Sequence, residues 1–318
     1  MMSDIIGHEK IQQFLTASFQ NNRLHHAYLF LGPRSIGKMT MARAFIQVVL
    51  CEKKDEAPCG QCFACRAVVK GNHPDLTVLD GYQDSLGIEK ARQLADMMSR
   101  SALMGQYRLG IIDGAHLLTT EAQNALLKTL EEPKPGKVLI LVSEQPLLAT
   151  ILSRVQNVKF HLVRERAIKE FMQAQGADLE TAGRLAALAQ GRPGLALRFW
   201  RDQASQQDHE EKTRNFLSLF EGVGNFNTFA TGLLGRDLDG ARDKWNVLAE
   251  VGLRSLRSAA LEKIGLSGHA SVQAKEPLLN LSLNKIVFLM KELNHLRKAV
   301  SSNVDPRFAL ENFYLLIH

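Results

Sequence analysis

The chain has 318 residues, 45% hydrophobic and 23% charged, with 39 Lys and Arg against 33 Asp and Glu for a net charge of +6. At roughly 100–200 residues per domain, this length predicts two or three domains, each able to bury a core. No apolar run approaches the roughly 18 residues of a membrane span, the start lacks the basic and apolar halves of a signal peptide, and the mild positive surplus permits nucleic-acid contact without requiring it; a cytoplasmic protein with no membrane association is expected.

In the first half, short apolar runs alternate with helical patterns, which predicts an α/β core with a parallel sheet. The first strand, Ala27 to Leu31, leads into Gly32-Pro33-Arg34-Ser35-Ile36-Gly37-Lys38 and a helix to Val49. This is the G-x-x-x-x-G-K core of a phosphate loop in its strand-loop-helix setting. Backbone N–H groups between Gly32 and Gly37 and the helix N-terminus would cradle phosphates, and Lys38 would neutralise the outer ones. The next position should carry a hydroxyl that helps hold Mg²⁺. It is Met39. Thr40 stands one residue late, about 100° further round the helix. ATP or ADP binding could survive this change, whereas productive metal placement should not. A tight strand-to-helix turn with no working site is the alternative reading.

All four cysteines follow within a short span, as Cys51, Cys59, Cys62 and Cys65. Secreted disulfide folds spread their bridges along the chain, whereas four thiolates this close suit one tetrahedral Zn²⁺. A structural zinc is predicted, since four sulfurs leave no open position for water or substrate.

Further strands are predicted at Leu76 to Leu79, Arg108 to Ile112 and Val138 to Val142, with helices at Ile88 to Arg100 and Glu121 to Leu130, the last closed at Glu132-Pro133. The third strand ends in Asp113, suited to orienting a metal-bound water. ATP hydrolases of this type carry a glutamate next, to polarise the attacking water; here it is Gly114, so hydrolysis should be severely impaired. From about Glu165 no strand pattern remains. Three short helices are expected at Ala167 to Gln175, Leu179 to Gln190 and Gly194 to Arg201. A polar stretch, Arg201 to Arg214, then leads to a longer helical region running to His318, including an amphipathic helix from Leu283 to Val300. Boundaries are placed near residues 164 and 205.

Taken in order, these motifs resemble the bacterial clamp-loader subunits of the AAA+ class, the delta prime and gamma/tau relatives. The resemblance runs through His25-His26-Ala27-Tyr28-Leu29-Phe30, the phosphate loop, the four-cysteine insertion and His73-Pro74-Asp75. It continues through Asp113-Gly114-Ala115-His116, Ala122 to Pro133, Ser153-Arg154-Val155, and Asn303 to Glu311. It implies an AAA+ core with a zinc module over residues 1–163, a three-helix lid over 164–205 and a helical collar over 206–318. In the family the arginine of the Ser-Arg-Cys element reaches into the nucleotide site of the adjacent subunit, which assigns Arg154, with Ser153, to that task; the family's cysteine is Val155 here. A surface arginine is the alternative.

The same likeness places Ser143 at the sensor of the terminal phosphate and Arg192, in Gly191-Arg192-Pro193-Gly194, at a second sensor. With Gly32, Gly37, Lys38, Thr40 and Asp113 they make up a degenerate nucleotide site. Ile5, Ile6 and Gly7 occupy the segment that packs an adenine ring in relatives, or they are core. Met39 and Gly114 favour the delta prime type, a stator that donates a finger without hydrolysing ATP. The alternative is a gamma/tau-like motor. The implied partners are gamma/tau and delta subunits in an open five-membered ring that places a sliding clamp on primed DNA within DNA polymerase III.

Overall fold

A computed structural model describes residues 5–235, 237–265 and 276–318. The described chain divides into two compact units, one formed by residues up to Val163 together with Arg192–Gly194, the other by Arg164–Gly191 and Leu195–His318.

The first unit is α/β, as expected. Five parallel strands, β1 (Ala27–Leu31), β2 (Leu76–Asp80), β3 (Arg108–Asp113), β4 (Lys137–Ser143) and β5 (Gln156–Lys159), lie in the order β2-β3-β4-β1-β5. Helices α1 (Glu9–Gln20), α2 (Lys38–Leu50), α3 (Phe63–Lys70), α4 (Ile88–Ser99), α5 (Thr120–Glu131) and the single turn α6 (Ala149–Leu152) complete it. Side chains alternate across a strand, so β1 feeds two cores. Tyr28 and Phe30 join Met41, Phe45 and Ile140 on one face, while Ala27 and Leu29 join Leu94, Leu126 and Leu141 on the other. Both faces being covered explains why these strands read as nearly continuous apolar runs.

Four elements of this unit, β5, α1, α3 and the single turn α6, lie outside the sequence expectation. Strand β5 has one buried residue, Val158, in an otherwise polar edge strand, too short to show a period. Helix α1 buries only Leu15, and α3 begins inside the cysteine segment. His73-Pro74-Asp75 is an anchor: the fully buried Asp75 carboxylate accepts the backbone N–H groups of Leu103 at 2.6 Å and Met104 at 2.8 Å, with Arg108 at 3.7 Å. The loop so held turns Leu103 and Met104 out to solvent.

The second unit is all helical: α7 (Glu165–Ala174), α8 (Leu179–Ala189), α9 (Pro193–Arg201), α10 (Gln203–Glu221), α11 (Phe226–Leu234), α12 (Leu238–Lys263), α13 (Glu276–Leu279), α14 (Leu283–Ser301) and α15 (Pro306–Ile317). The starts are written in the sequence. Asp178, Asp202, Asn225, Asp237, Ser282 and Asp305 each accept a backbone N–H of the first turn of α8, α10, α11, α12, α14 and α15. The segment around Asp305 is therefore a helix start, with Pro306 in the first turn of α15. The polar stretch after Arg201, which ends α9, belongs to α10 from its cap at Asp202 onward. Its cap and same-face pairs such as Lys212 with Asp208 at 2.6 Å support a helix with little apolar pattern in its first turns.

Trp245, Phe216, Phe313, Ile286 and Leu289 form the core of this unit. Gly252 of α12 lies under the Phe216 ring, where a Cβ would come within 2.3 Å of the ring. In an exposed helix Gly→Ala gains about 1 kcal/mol. Here Gly252→Ala is expected to destabilise by about 1–3 kcal/mol through overpacking, read in a denaturant titration; a stabilised variant would refute this packing.

Candidate functional site

The site is built at the carboxyl ends of the strands. Strands β1 and β4 are neighbours, and the chain leaving β1 runs to β2 on one side while the chain leaving β4 runs to β5 on the other; such a switch point is where open parallel sheets bind ligands. The register sets Leu31 beside Ser143 and Asp113 beside Val142. Gly32, Ser143 and Asp113 are thereby brought to one edge, and the Gly32 N–H donates to Ser143 O at 3.2 Å.

The loop itself is tightly wound. Gly37 has φ 103° and starts α2, and Ser35 holds a left-handed φ of 60°. The Ser35 carbonyl accepts the Gly194 N–H at 2.9 Å, and a Cβ on Gly194 would meet the same oxygen at 2.9 Å, so this approach requires glycine. Lys38 is only 6% exposed, and its ammonium donates to Gly32 O at 2.7 Å and Pro33 O at 2.6 Å. Burial lowers its pKa to about 8 against the pull of Glu144 and Asp113, and the charges of Arg192 and Arg34 lower it further. The Gly194 N–H bond to Ser35 holds the segment that carries Arg192 beside the loop. Asp113 is pushed above the usual carboxylate range by burial and by the Asp80 carboxylate.

Other predicted residues sit apart. Met39 packs against the apolar core, and Thr40 is exposed on α2. Gly114 has φ 75°, and a Cβ there would meet Leu117 at 3.1 Å and Tyr82 at 3.3 Å. Ile5 joins the core, and Gly7 lies against Val163 with no room for a Cβ. Ser143 is fully buried, its hydroxyl on the Gln145 carbonyl.

Ser153 and Arg154 follow α6. The Arg154 guanidinium donates to Thr150 O at 2.7 Å and Ser153 Oγ at 3.0 Å, and pairs with Glu131 at 2.8 Å. Both ends of that ion pair are part-exposed, 35% and 47%, so it contributes about 0–1 kcal/mol and is readily exchanged for another anion.

The four cysteine sulfurs lie within 4.8 Å of one another. A tetrahedron with Zn–S bonds of about 2.3 Å has edges of about 3.8 Å, so modest inward movement closes the set. The backbone aims at the sulfurs: Cys59 N–H to Cys51 Sγ at 3.5 Å, Cys62 N–H to Cys59 Sγ at 3.4 Å and Cys65 N–H to Cys62 Sγ at 3.4 Å. Such donors favour thiolates, and the N–H groups of Cys62 and Gln61 lower the Cys59 pKa to about 6. Burial raises Cys51 and Cys65. Donor chemistry and spacing are compatible with one structural zinc.

Sequence reading missed Tyr82, His116 and Glu144 as site residues, and Glu131 as the partner of Arg154. Glu144 follows the Ser143 candidate directly and His116 stands in the Asp113 motif, but only the folded chain shows what they face.

The family described as "DNA polymerase III, delta subunit" matches residues 7–164. The chain is 32% identical over 213 residues to DNA polymerase III subunit delta' of Haemophilus influenzae, covering 65% of this chain and 63% of that one. It is 35% identical over 181 residues to subunit delta' of Bacillus subtilis, covering 56% and 54%. It is 35% identical over 232 residues to subunit tau/gamma of Haemophilus influenzae, covering 70% of this chain and 33% of that one. The chain therefore spans between a third and two thirds of the length of these relatives. No helix among the described residues is long and apolar enough to cross a membrane.

Proposed function

The chain belongs to the clamp-loader family of DNA polymerase III subunits, and we propose that it is a delta prime-type stator. In this reading it joins gamma/tau and delta subunits in an open five-membered ring that places a sliding clamp on primed DNA. It presents Arg154 to the ATP site of a neighbour and does not hydrolyse ATP itself. Residues 1–163 act as the AAA+ core with its zinc module, 164–205 as the lid and 206–318 as the collar. Exposed Phe288, Phe308 and Leu315 of the helical unit supply apolar surface for collar contacts.

The observation that carries this reading is Gly114. Next to the strand-end acid Asp113, it has no side chain to polarise water, and its left-handed backbone disfavours one. Met39 supports it, because a thioether packed on the core offers magnesium no oxygen. Arginine suits the task in trans because its planar, permanently charged fork neutralises charge developing on a transferred phosphoryl group.

Where a zinc ion is bound, Cys51, Cys59, Cys62 and Cys65 would hold it, and it would serve as a cross-link between the end of α2 and the start of α3. The direct test of the stator reading is magnesium-dependent ATP turnover by the purified chain, alone and with clamp and primed DNA, beside an intact gamma/tau subunit. Turnover below about 1% of the control is expected from loss of both metal hydroxyl and base. Turnover near the control would make the chain a gamma/tau-like motor instead.

A further inference from the structure

Four side chains from separate loops meet over the phosphate loop. Arg34 belongs to the loop, Tyr82 follows β2, His116 follows β3 and Glu144 follows β4. The Tyr82 hydroxyl donates to Glu144 Oε1 at 2.5 Å, and Arg34 Nε stands 4.0 Å from the same oxygen. The Arg34 guanidinium lies 4.3 Å from the centre of the Tyr82 ring. The Glu144 backbone N–H donates to His116 Nδ1 at 3.4 Å, and the His116 and Tyr82 rings meet edge to face at 6.2 Å. Glu144 is thus held by its neighbours, and its charge, like that of Asp113, opposes the lowering of the Lys38 pKa.

A phosphate loop requires a cation aimed at the outermost phosphate and space for that phosphate's negative charge. In this chain Lys38 donates to the loop's own carbonyls, and the Glu144 carboxylate, one residue past the Ser143 that pairs with Leu31, stands beside Arg34 of the loop. A terminal phosphate arriving here would be set against a carboxylate held by Tyr82 and Arg34, and like charges brought together repel. A nucleoside diphosphate, ending one phosphate earlier, avoids most of that repulsion.

We infer that Glu144 is a specificity-determining residue, a built-in anion that opposes a nucleoside triphosphate in this loop and leaves a diphosphate as the better ligand. The inference rests on residues 32–38 being a phosphate loop and is independent of any role for Arg154 or of turnover.

The test is calorimetric titration of ATP and of ADP, with magnesium and with a chelator, into the full chain and its variants. Glu144→Gln is expected to tighten ATP binding by at least about tenfold and ADP binding by less than about threefold. Tyr82→Phe releases the carboxylate without removing it and should give a smaller shift in the same direction, which keeps the test open if the first variant folds poorly. Adding Lys38→Ala to Glu144→Gln should erase the gain, showing that binding occurs at this loop. Equal tightening of ATP and ADP, an ATP affinity within twofold of the parent, or no ATP binding by the Glu144→Gln chain would each overturn the inference. These outcomes are read without hydrolysis, so they stand apart from the success or failure of the stator reading.

Discussion

Arg154→Ala is expected to lower ATP turnover by about 100-fold at the neighbouring site it faces in a reconstituted clamp-loader ring, the size of losing one preorganised transition-state donor. The ring's other ATP sites should be disabled so that this site is read alone. Two features separate this from a general structural defect. The guanidinium makes local bonds to Thr150 and Ser153 and a part-exposed pair with Glu131, so its loss should change the stability of this chain by no more than about 1 kcal/mol. Arg154→Lys keeps the charge but not the planar fork and should recover only part of the rate. A ring carrying Arg154→Ala that turns over ATP normally at that site would end the finger assignment.

The second large effect concerns the cysteine cluster. The purified chain is expected to hold one zinc, and Cys65→Ala should drop the zinc content below about a tenth of an ion per chain. Cys65 is fully buried, and α3 packs Val68 into the same core as Phe45 and Val49 of α2. Loss of the ion therefore loosens a packed helix as well as the exposed loop around Gly60. A loss of about 3 kcal/mol, well under the roughly 10–16 kcal/mol seen for isolated zinc peptides, lowers Tm by about 6–12 °C. Metal analysis and thermal melting with and without chelator check both numbers. A chain that contains no zinc when prepared in its presence, and melts unchanged by chelator, would reduce the cluster to four reduced thiols.

Much of the fold was legible because its signals are local. Strands β1, β3 and β4 are apolar runs covered on both faces, and helix starts such as Asp178 and Ser282 carry their own caps. What escaped was decided elsewhere in the chain. Strand β5 is a strand because Tyr28 to Leu31 offer it an edge to pair with, and its own four residues carry no such message. The start of α10 escaped because capping and i,i+4 pairs, and not an apolar stripe, sustain its polar turns.

The site divides in the same way. Gly32, Gly37 and Lys38 lie within seven consecutive positions and could be read together, as could the four cysteines. Tyr82 and Glu144 are 62 positions apart, and only the order of strands in the sheet brings them together beside Arg34 of the loop. Arg154 was visible as a motif, but its tether to Glu131 was not, since that contact depends on how α5 and α6 end beside one another.

The backbone at Gly114 bears on reversibility. Restoring the missing glutamate looks like a one-letter repair, yet the peptide there sits at φ 75°, with Leu117 and Tyr82 at 3.1 and 3.3 Å from where the first side-chain carbon must go. A glutamate would strain the turn after β3 and push the Leu117 side chain and the Tyr82 ring aside by a few tenths of an ångström. Glycine at this position is thus buttressed by neighbours that crowd the space beside it. On the stator reading, a working base at this position would therefore require adjustments at Leu117 and Tyr82 as well as the single substitution.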